Sequence, residues 1–257
     1  MNFFTLASAM TGFGASPRLA PGQWSAAAEL GQIPHLSDRQ QRVGFSGFKR
    51  EDLNKSPAIG RLHGMIGVPG GWIAELGYTP PVEINGTRTH DLFAAAVGRR
   101  LLERGEFSVS ARVFGQHGQV GSDITCPAEL AGIDDAQRNP YGCRRPSRDR
   151  LQLNYYGIDL TLARQYGPWE WHAGMAAVRT ETEVQVDAHT YGVHDRSRLV
   201  AKDMLPAITI GATRAFEHWH WGAEVLYVPL HVRRDEAGSS ENDPLVSVRL
   251  QLRYESD

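Results

Sequence analysis

No stretch of this sequence stays apolar for the roughly 18 residues that a membrane-crossing helix needs, and the mean hydropathy is −0.36. A helical membrane protein is thereby excluded. A membrane β-barrel is not, because each of its strands is only half apolar and dilutes the average. Charge of one sign is also missing: 27 Lys and Arg face 29 Asp and Glu, a formal net charge of −2, which implies neither nucleic acid nor an acidic membrane surface as partner. Cysteine is scarce. Cys126 and Cys143 stand in a polar segment rich in Pro, Asp and Arg, without the CxxC spacing of a zinc or redox motif. Two such cysteines in one loop favour a disulfide in an oxidising compartment. The N-terminal stretch "MNFFTLASAMTGFGASPRLAPGQW" has no Lys or Arg ahead of its apolar residues, although a secretory signal should carry a positive start. Residues 1–23 therefore read as the beginning of a mature chain rather than as a signal. Phe3, Phe4, Leu6, Ala7 and Met10 fit one face of a short helix that Pro17 and Pro21 would end.

What is there in abundance is alternation. In "DPLVSVRLQLRYESD", Val246, Val248, Leu250, Leu252 and Tyr254 share one parity, and Ser247, Arg249, Gln251 and Arg253 the other. A period of two is a β-strand with two unlike faces. About ten such strands are expected: Trp24–Ile33, Arg61–Val68, Trp72–Tyr78, Asp91–Leu102, Phe107–Gln119, Leu151–Arg164, Trp169–Val186, Leu205–Phe216, His220–Val232 and Leu245–Tyr254. Their connections alternate strictly between tight ("PGG", "ERGE", "QYGP", "EHW") and long (34–60, 79–90, 120–150, 187–204, 233–244). In an up-and-down barrel this puts every short turn at one rim and every long loop at the other. The tryptophans agree with that layout. Trp24, Trp72, Trp169, Trp171, Trp219 and Trp221 all fall at the short-turn ends of their strands, joined by Tyr254 and Phe107. Amphipathic rings gather at a membrane–water interface, whereas a soluble sandwich has no reason to ring its tryptophans.

With these features the chain resembles bacterial outer-membrane β-barrel proteins as a class, over about Trp24 to Tyr254. The resemblance implies a closed, antiparallel, up-and-down transmembrane barrel of about ten strands in the Gram-negative outer membrane. It also implies short periplasmic turns, long external loops and both chain ends on the periplasmic side, with residues 1–23 as a periplasmic segment. Many such proteins end on an aromatic residue; here Tyr254 is followed by Glu-Ser-Asp.

If the apolar parity faces lipid, the polar parity lines the lumen. Expected there are Glu29, Arg61, His63, Glu75, Arg112, Asp159, Glu224, Arg249 and Arg253. Strand four, with "LFAAAV", is apolar on both faces. In the closed order, the last strand neighbours the first and the ninth, so Arg249 is expected to pair with Glu29 and Glu224, with Arg112 and Glu75 extending the network. An unpaired charge in a narrow lumen is costly to desolvate. Ten strands lie near the filled end of barrel sizes. The soluble alternative, a lipocalin-like barrel with its apolar face inward, closes with eight strands.

Enzyme constellations are thin. Ten-stranded outer-membrane proteases set acidic pairs and a His near the external rim. Asp134–Asp135 and His194–Asp195 match by type only. His63 and His172 lack the supporting Ser that a lipid deacylase or acyltransferase needs. His218 and His220, about Trp219, belong to a tight turn. No cofactor or metal is implied. The leading expectation is a narrow, porin-like channel or transporter for an unidentified small solute. The alternatives are a surface-interaction barrel acting through its external loops and an outer-membrane hydrolase. Expected partners are outer-membrane lipid and lipopolysaccharide, touched by loops such as "RQQRVGFSGFKREDLNKSP" with Phe45 and Phe48.

Overall fold

In a computed structural model, which describes residues 2–43, 49–233 and 240–256, ten long strands close into one antiparallel barrel. They are β1 (Trp24–Gln32), β2 (Ala58–Val68), β3 (Trp72–Thr79), β4 (Thr87–Arg104), β5 (Phe107–Ser122), β6 (Asp149–Tyr166), β7 (Trp169–Gln185), β8 (Arg198–Phe216), β9 (Trp219–Val228) and β10 (Leu245–Glu255). Each pairs with its neighbours in sequence, and β10 pairs with β1 to close the ring. Phe45 and Phe48 lie outside the described residues.

The short turns are made by local backbone chemistry. β4 passes to β5 through Gly105-Glu106 and β6 to β7 through Gly167-Pro168, and both glycines take the left-handed conformation, at φ +58° and +57°. A side chain is unwelcome there, which is why two-residue connections of this kind carry Gly.

The faces follow the alternation. Leu76 is 71% exposed, while Glu75 beside it is 3% exposed. The same inversion runs round the ring, with Leu62, Val113, Ile158, Leu160, Ile210, Val225 and Leu250 outside. An unbroken apolar outer surface of this kind has one stable environment, hydrocarbon. β4, ambiguous from its sequence, puts Leu92, Ala94 and Ala96 inside and Phe93 and Val97 outside. At the short-turn rim Trp24, Trp72, Trp169, Trp171, Trp219 and Trp221 are exposed, and Tyr254 packs against Trp24 and Trp219. Arginines sit over these rings: Arg99 over Trp72, and Arg214 over Trp169 and Phe216. Tyr78, Phe93, Tyr156 and Tyr227, all at least a third exposed, form the opposite girdle.

Several strands run past their expected upper ends. β8 begins at Arg198 rather than Leu205, and β4 at Thr87 rather than Asp91. Beyond the apolar belt the β7–β8 ladder is held by polar pairs on its outer face, Lys202 with Glu181 and Arg198 with Glu183. β9 stops at Val228, four residues short of the expected end.

One expectation fails outright. Residues 2–20 are not a segment outside the barrel. A helix, α1 (Asn2–Ala7), and the extended chain after it lie inside the lumen, with Leu6, Ala7, Met10 and Phe13 almost wholly buried. The helix ends at Ala7, well before Pro17. Asn2 is level with Thr180 and Asp203 in the upper half of β7 and β8. From there the chain descends to the short-turn rim, where Gly22 and Gly67 exchange backbone bonds through Gln23. Gly67 is required at that crossing, since a Cβ would stand 2.3 Å from the Ala20 carbonyl oxygen. The two ends of the chain therefore do not share one rim: Glu255 is at the short turns, and Asn2 toward the long loops.

Candidate functional site

The lumen has two layers. Toward the long loops it is apolar: Phe114, Val178, Leu226, Val228 and Leu245 surround Leu6, Ala7, Ala9 and Met10 of the inner segment. The apolar face of α1 thus has a built partner, which explains why so short a helix persists. Below lies an ionic layer. His63 bridges two carboxylates, with Nδ1 2.7 Å from Glu29 Oε1 and Nε2 3.1 Å from Glu75 Oε2. Arg112 continues the chain to Glu75 at 3.4 Å and to Asp159 at 3.4 Å. Arg61 lies 3.7 Å from Glu29, and His172 3.2 Å from Glu224. Arg253 pairs with Glu255 at 2.9 Å, near the short-turn rim.

All nine residues expected in the lumen point into it, but Arg249 does not pair with Glu29 or Glu224 as expected. Its guanidinium donates to the carbonyl oxygens of Leu6 and Ala7, each at 3.1 Å, and to that of Ala9. The last carbonyls of a helix have no partner within it, and Arg249 satisfies them from the wall. Other wall groups repeat the pattern down the segment. Arg61 donates to Ser8 O at 2.6 Å, the Met10 amide donates to Tyr155 Oη at 2.7 Å, and Thr213 Oγ1 donates to Phe13 O at 3.1 Å. The Ala15 amide donates to Glu170 at 3.0 Å and the Ser16 amide to Ser110 at 3.0 Å, while Arg100 donates to Ser16 O at 2.8 Å. The polar wall expected to constrict a pore instead binds a backbone. Beside the segment, between Met10, Phe13, Asp159, Thr161 and Glu224, a void of about 30 Å³ remains, room for a water molecule or two.

Sequence reasoning missed Tyr155, Gln116 and Arg100, wall groups that hold the segment, Gln116 by donating to Ser8 Oγ at 2.9 Å. Tyr155 carried a signal: it is the one aromatic of inward parity in β6, and a buried Tyr hydroxyl needs a partner.

The long-loop rim is a second built region. Cys126 and Cys143 form a disulfide, and both sulfurs are buried against Val186 and Ala188 of the next long loop. Asn139 staples the enclosed loop, accepting from the Cys143 amide at 2.8 Å and donating to the carbonyls of Ile133 and Cys143 at 3.0 Å. The buried Asp149 carboxylate accepts from the Thr125 amide, Ser147 Oγ and the Asp187 amide. Backbone bonds Arg148 N to Asp187 O and Tyr191 N to Tyr141 O join the two loops. Lys55, from the first long loop, reaches Asp123 at 3.0 Å and Asp52 at 3.2 Å. Burial pulls its ammonium downward, but hydrogen bonds and charge from Asp123 and Asp52 outweigh that and hold it above the usual lysine range.

The hydrolase candidates do not assemble. His194 pairs with Asp187 at 2.6 Å, not with Asp195, and stacks on His189 at 4.2 Å between ring centres. Asp135 caps the Gln137 amide. His63 and His172 are buried in lumen ion pairs, away from lipid.

No protein-family model and no curated protein matches the chain. Solved structures do. The outer-membrane protease OmpT of Escherichia coli aligns at 11% identity and a TM-score of 0.40, over 91% of this chain and 94% of that one. The toluene transporter TodX of Pseudomonas putida aligns at 10% identity and 0.37, over 97% and 69%. Ail, the attachment invasion locus protein of Yersinia pestis, aligns at 12% identity and 0.26, over 92% and 99%. The likeness is to membrane β-barrels as a fold. A channel, an adhesion protein and a protease stand side by side among these neighbours, so function must be argued from this chain's own residues.

Proposed function

We propose that this is an outer-membrane barrel that acts through its long-loop rim, as a surface-interaction protein, with a lumen that conducts nothing in the resting state. The observation that carries this reading is the occupied lumen: residues 2–20 run down it, held by wall side chains from both layers, and the void beside Met10 and Phe13 is about 30 Å³. The rim, in contrast, is a built region in its described residues, with backbone bonds and an ion pair joining one long loop to another. It is cross-linked by Cys126–Cys143 and presents Tyr191 and Val193, each about two-thirds exposed, at a loop tip. The short-turn rim with its tryptophan girdle faces the periplasm in this reading, and the loops face outward.

A gated channel is the second reading, and one feature favours it. The bonds from the wall to the inner segment run through side chains, without a backbone ladder above Gly67, so the segment is a separate body that could leave. Planar-bilayer recording separates the two. The full chain is expected to be silent at moderate voltage, and a variant lacking residues 2–20, if it folds, to conduct. Steady or voltage-opened unitary currents from the full chain would replace the first reading with the second.

A further inference from the structure

Above the Tyr78–Phe93 girdle the outer wall carries a cleft of about 430 Å³ whose lining includes Arg88, His90, Arg148 and Arg150. Cross-strand register sets Arg88 and Arg150 on either side of Gly121 of β5. All three arginines are exposed, and none makes an ion pair with any described residue. The acids nearby do not neutralise them: Asp123 is taken by Lys55, and Asp149 is buried under amide and hydroxyl donors. Only Glu83 of the lining remains free. Directly below, the wall opens into a largely apolar hollow of about 940 Å³ that runs from Leu62 of β2 across Leu76 and Tyr78 of β3 and Phe93 of β4 to His117 of β5, with the inward-facing His63 and Tyr155 at its back. Three unpaired guanidinium groups over an apolar groove, at the level where headgroups meet acyl chains, complement an amphiphile with anionic oxygens at the top and hydrocarbon beneath.

We propose that this face binds the phosphorylated, acylated saccharide of the outer leaflet, lipopolysaccharide, with its phosphates on Arg88, Arg148 and Arg150 and an acyl chain in the groove. The number of cations selects this lipid over a glycerophospholipid. A glycerophosphate brings one phosphodiester, whereas a phosphorylated saccharide brings several phosphates to the three guanidinium groups of one cleft. Arginine suits this role because its planar fork grips a phosphate with two bonds.

The proposal rests on the reading that the long-loop rim faces outward, and the test separates the two. Full-length protein in mild detergent is mixed with purified short-core lipopolysaccharide, or with phosphatidylglycerol, and bound lipid is read by native mass spectrometry. Wild type is expected to retain lipopolysaccharide selectively, and Arg88→Gln/Arg148→Gln/Arg150→Gln to bind it about tenfold more weakly while still migrating as a folded barrel before heating. If the triple variant does not fold, Arg150→Gln alone is expected to show a several-fold loss, with Arg150→Lys in between. Equal binding by wild type and variant, or equal retention of phosphatidylglycerol, overturns the proposal. Independently, Arg148→Cys is expected to react with an impermeant maleimide on intact cells. Labelling only after the outer membrane is permeabilised would overturn the outward reading, and with it the assignment to an outer-leaflet lipid, whatever the binding result in detergent.

Discussion

At the scale of single residues, the protein turns on charged side chains whose partners are backbone or a second charge. Arg249 is the clearest case. Buried in the wall, it is the main cap for the C-terminal carbonyls of α1. Replacing it with Ala strips three carbonyls of a charged donor, and hydrogen bonds to charged groups contribute about 1.5–3 kcal/mol each before compensation. Arg249→Ala is expected to lower stability by about 2–4 kcal/mol, read as a downward shift of the unfolding transition of the detergent-solubilised barrel; an unchanged transition would mean that the helix is held elsewhere. Lys55 gives the pH-dependent case outside the membrane. Its folded pKa is raised, so its contribution is complete below the unfolded lysine value, near 10.5, and is lost as pH rises through the higher folded value. Amide exchange in the loop around Asp123 is therefore expected to be flat with pH, after correction for intrinsic rates, up to about pH 10 and to quicken above it. Quickening near neutral pH would assign the loop's order to another group.

At the scale of the element, what was legible in the sequence follows from where each strand sits. Within the apolar belt a strand meets lipid on one side and the lumen on the other, so period-two alternation is enforced, and every assigned face there, Leu76 against Glu75 or Val225 against Glu224, was readable. Above the belt both faces are polar and the signal vanishes, which is why β8 was read from Leu205 although its Arg198–Glu183 and Lys202–Glu181 pairs extend it. "LFAAAV" of β4 was ambiguous because its lumen side meets the apolar layer built around Leu6 and Met10 rather than water. The belt makes a direct prediction. Val225→Arg is expected to destabilise the barrel by about 2–4 kcal/mol if the site is near the midplane, whereas Tyr191→Arg at the rim should be tolerated; equal tolerance would remove the lipid from the account. The loop element predicts differently. Closing the chain between Cys126 and Cys143, a separation of 17 residues, contributes about 3 kcal/mol on the chain-entropy estimate. Reduction is expected to expose residues 127–142 to protease while the barrel remains folded. A barrel that unfolds on reduction would show that the loop is part of its folding core.

At the scale of the whole molecule, the sequence held the wall and hid the occupant. Glu29, His63, Glu75 and Arg112 could be placed inside by parity alone, but nothing in parity says that a lumen is occupied by its own chain. The clue was the apolar face of Phe3, Leu6, Ala7 and Met10, with no partner on a periplasmic side and a complementary one behind Phe114 and Leu226. Occupancy by residues 2–20 is the claim on which the sealed lumen and the surface role both depend. Thr5 of α1 and Thr182 of β7 test it most directly, since both are fully buried and their hydroxyl oxygens are 2.6 Å apart. In a Thr5→Cys/Thr182→Cys variant, the native cysteines being already bridged, mild oxidation of isolated outer membranes is expected to join the two positions in nearly every molecule, read by non-reducing peptide mass spectrometry. Two alkylatable thiols at positions 5 and 182 after oxidation would contradict it and leave the lumen open.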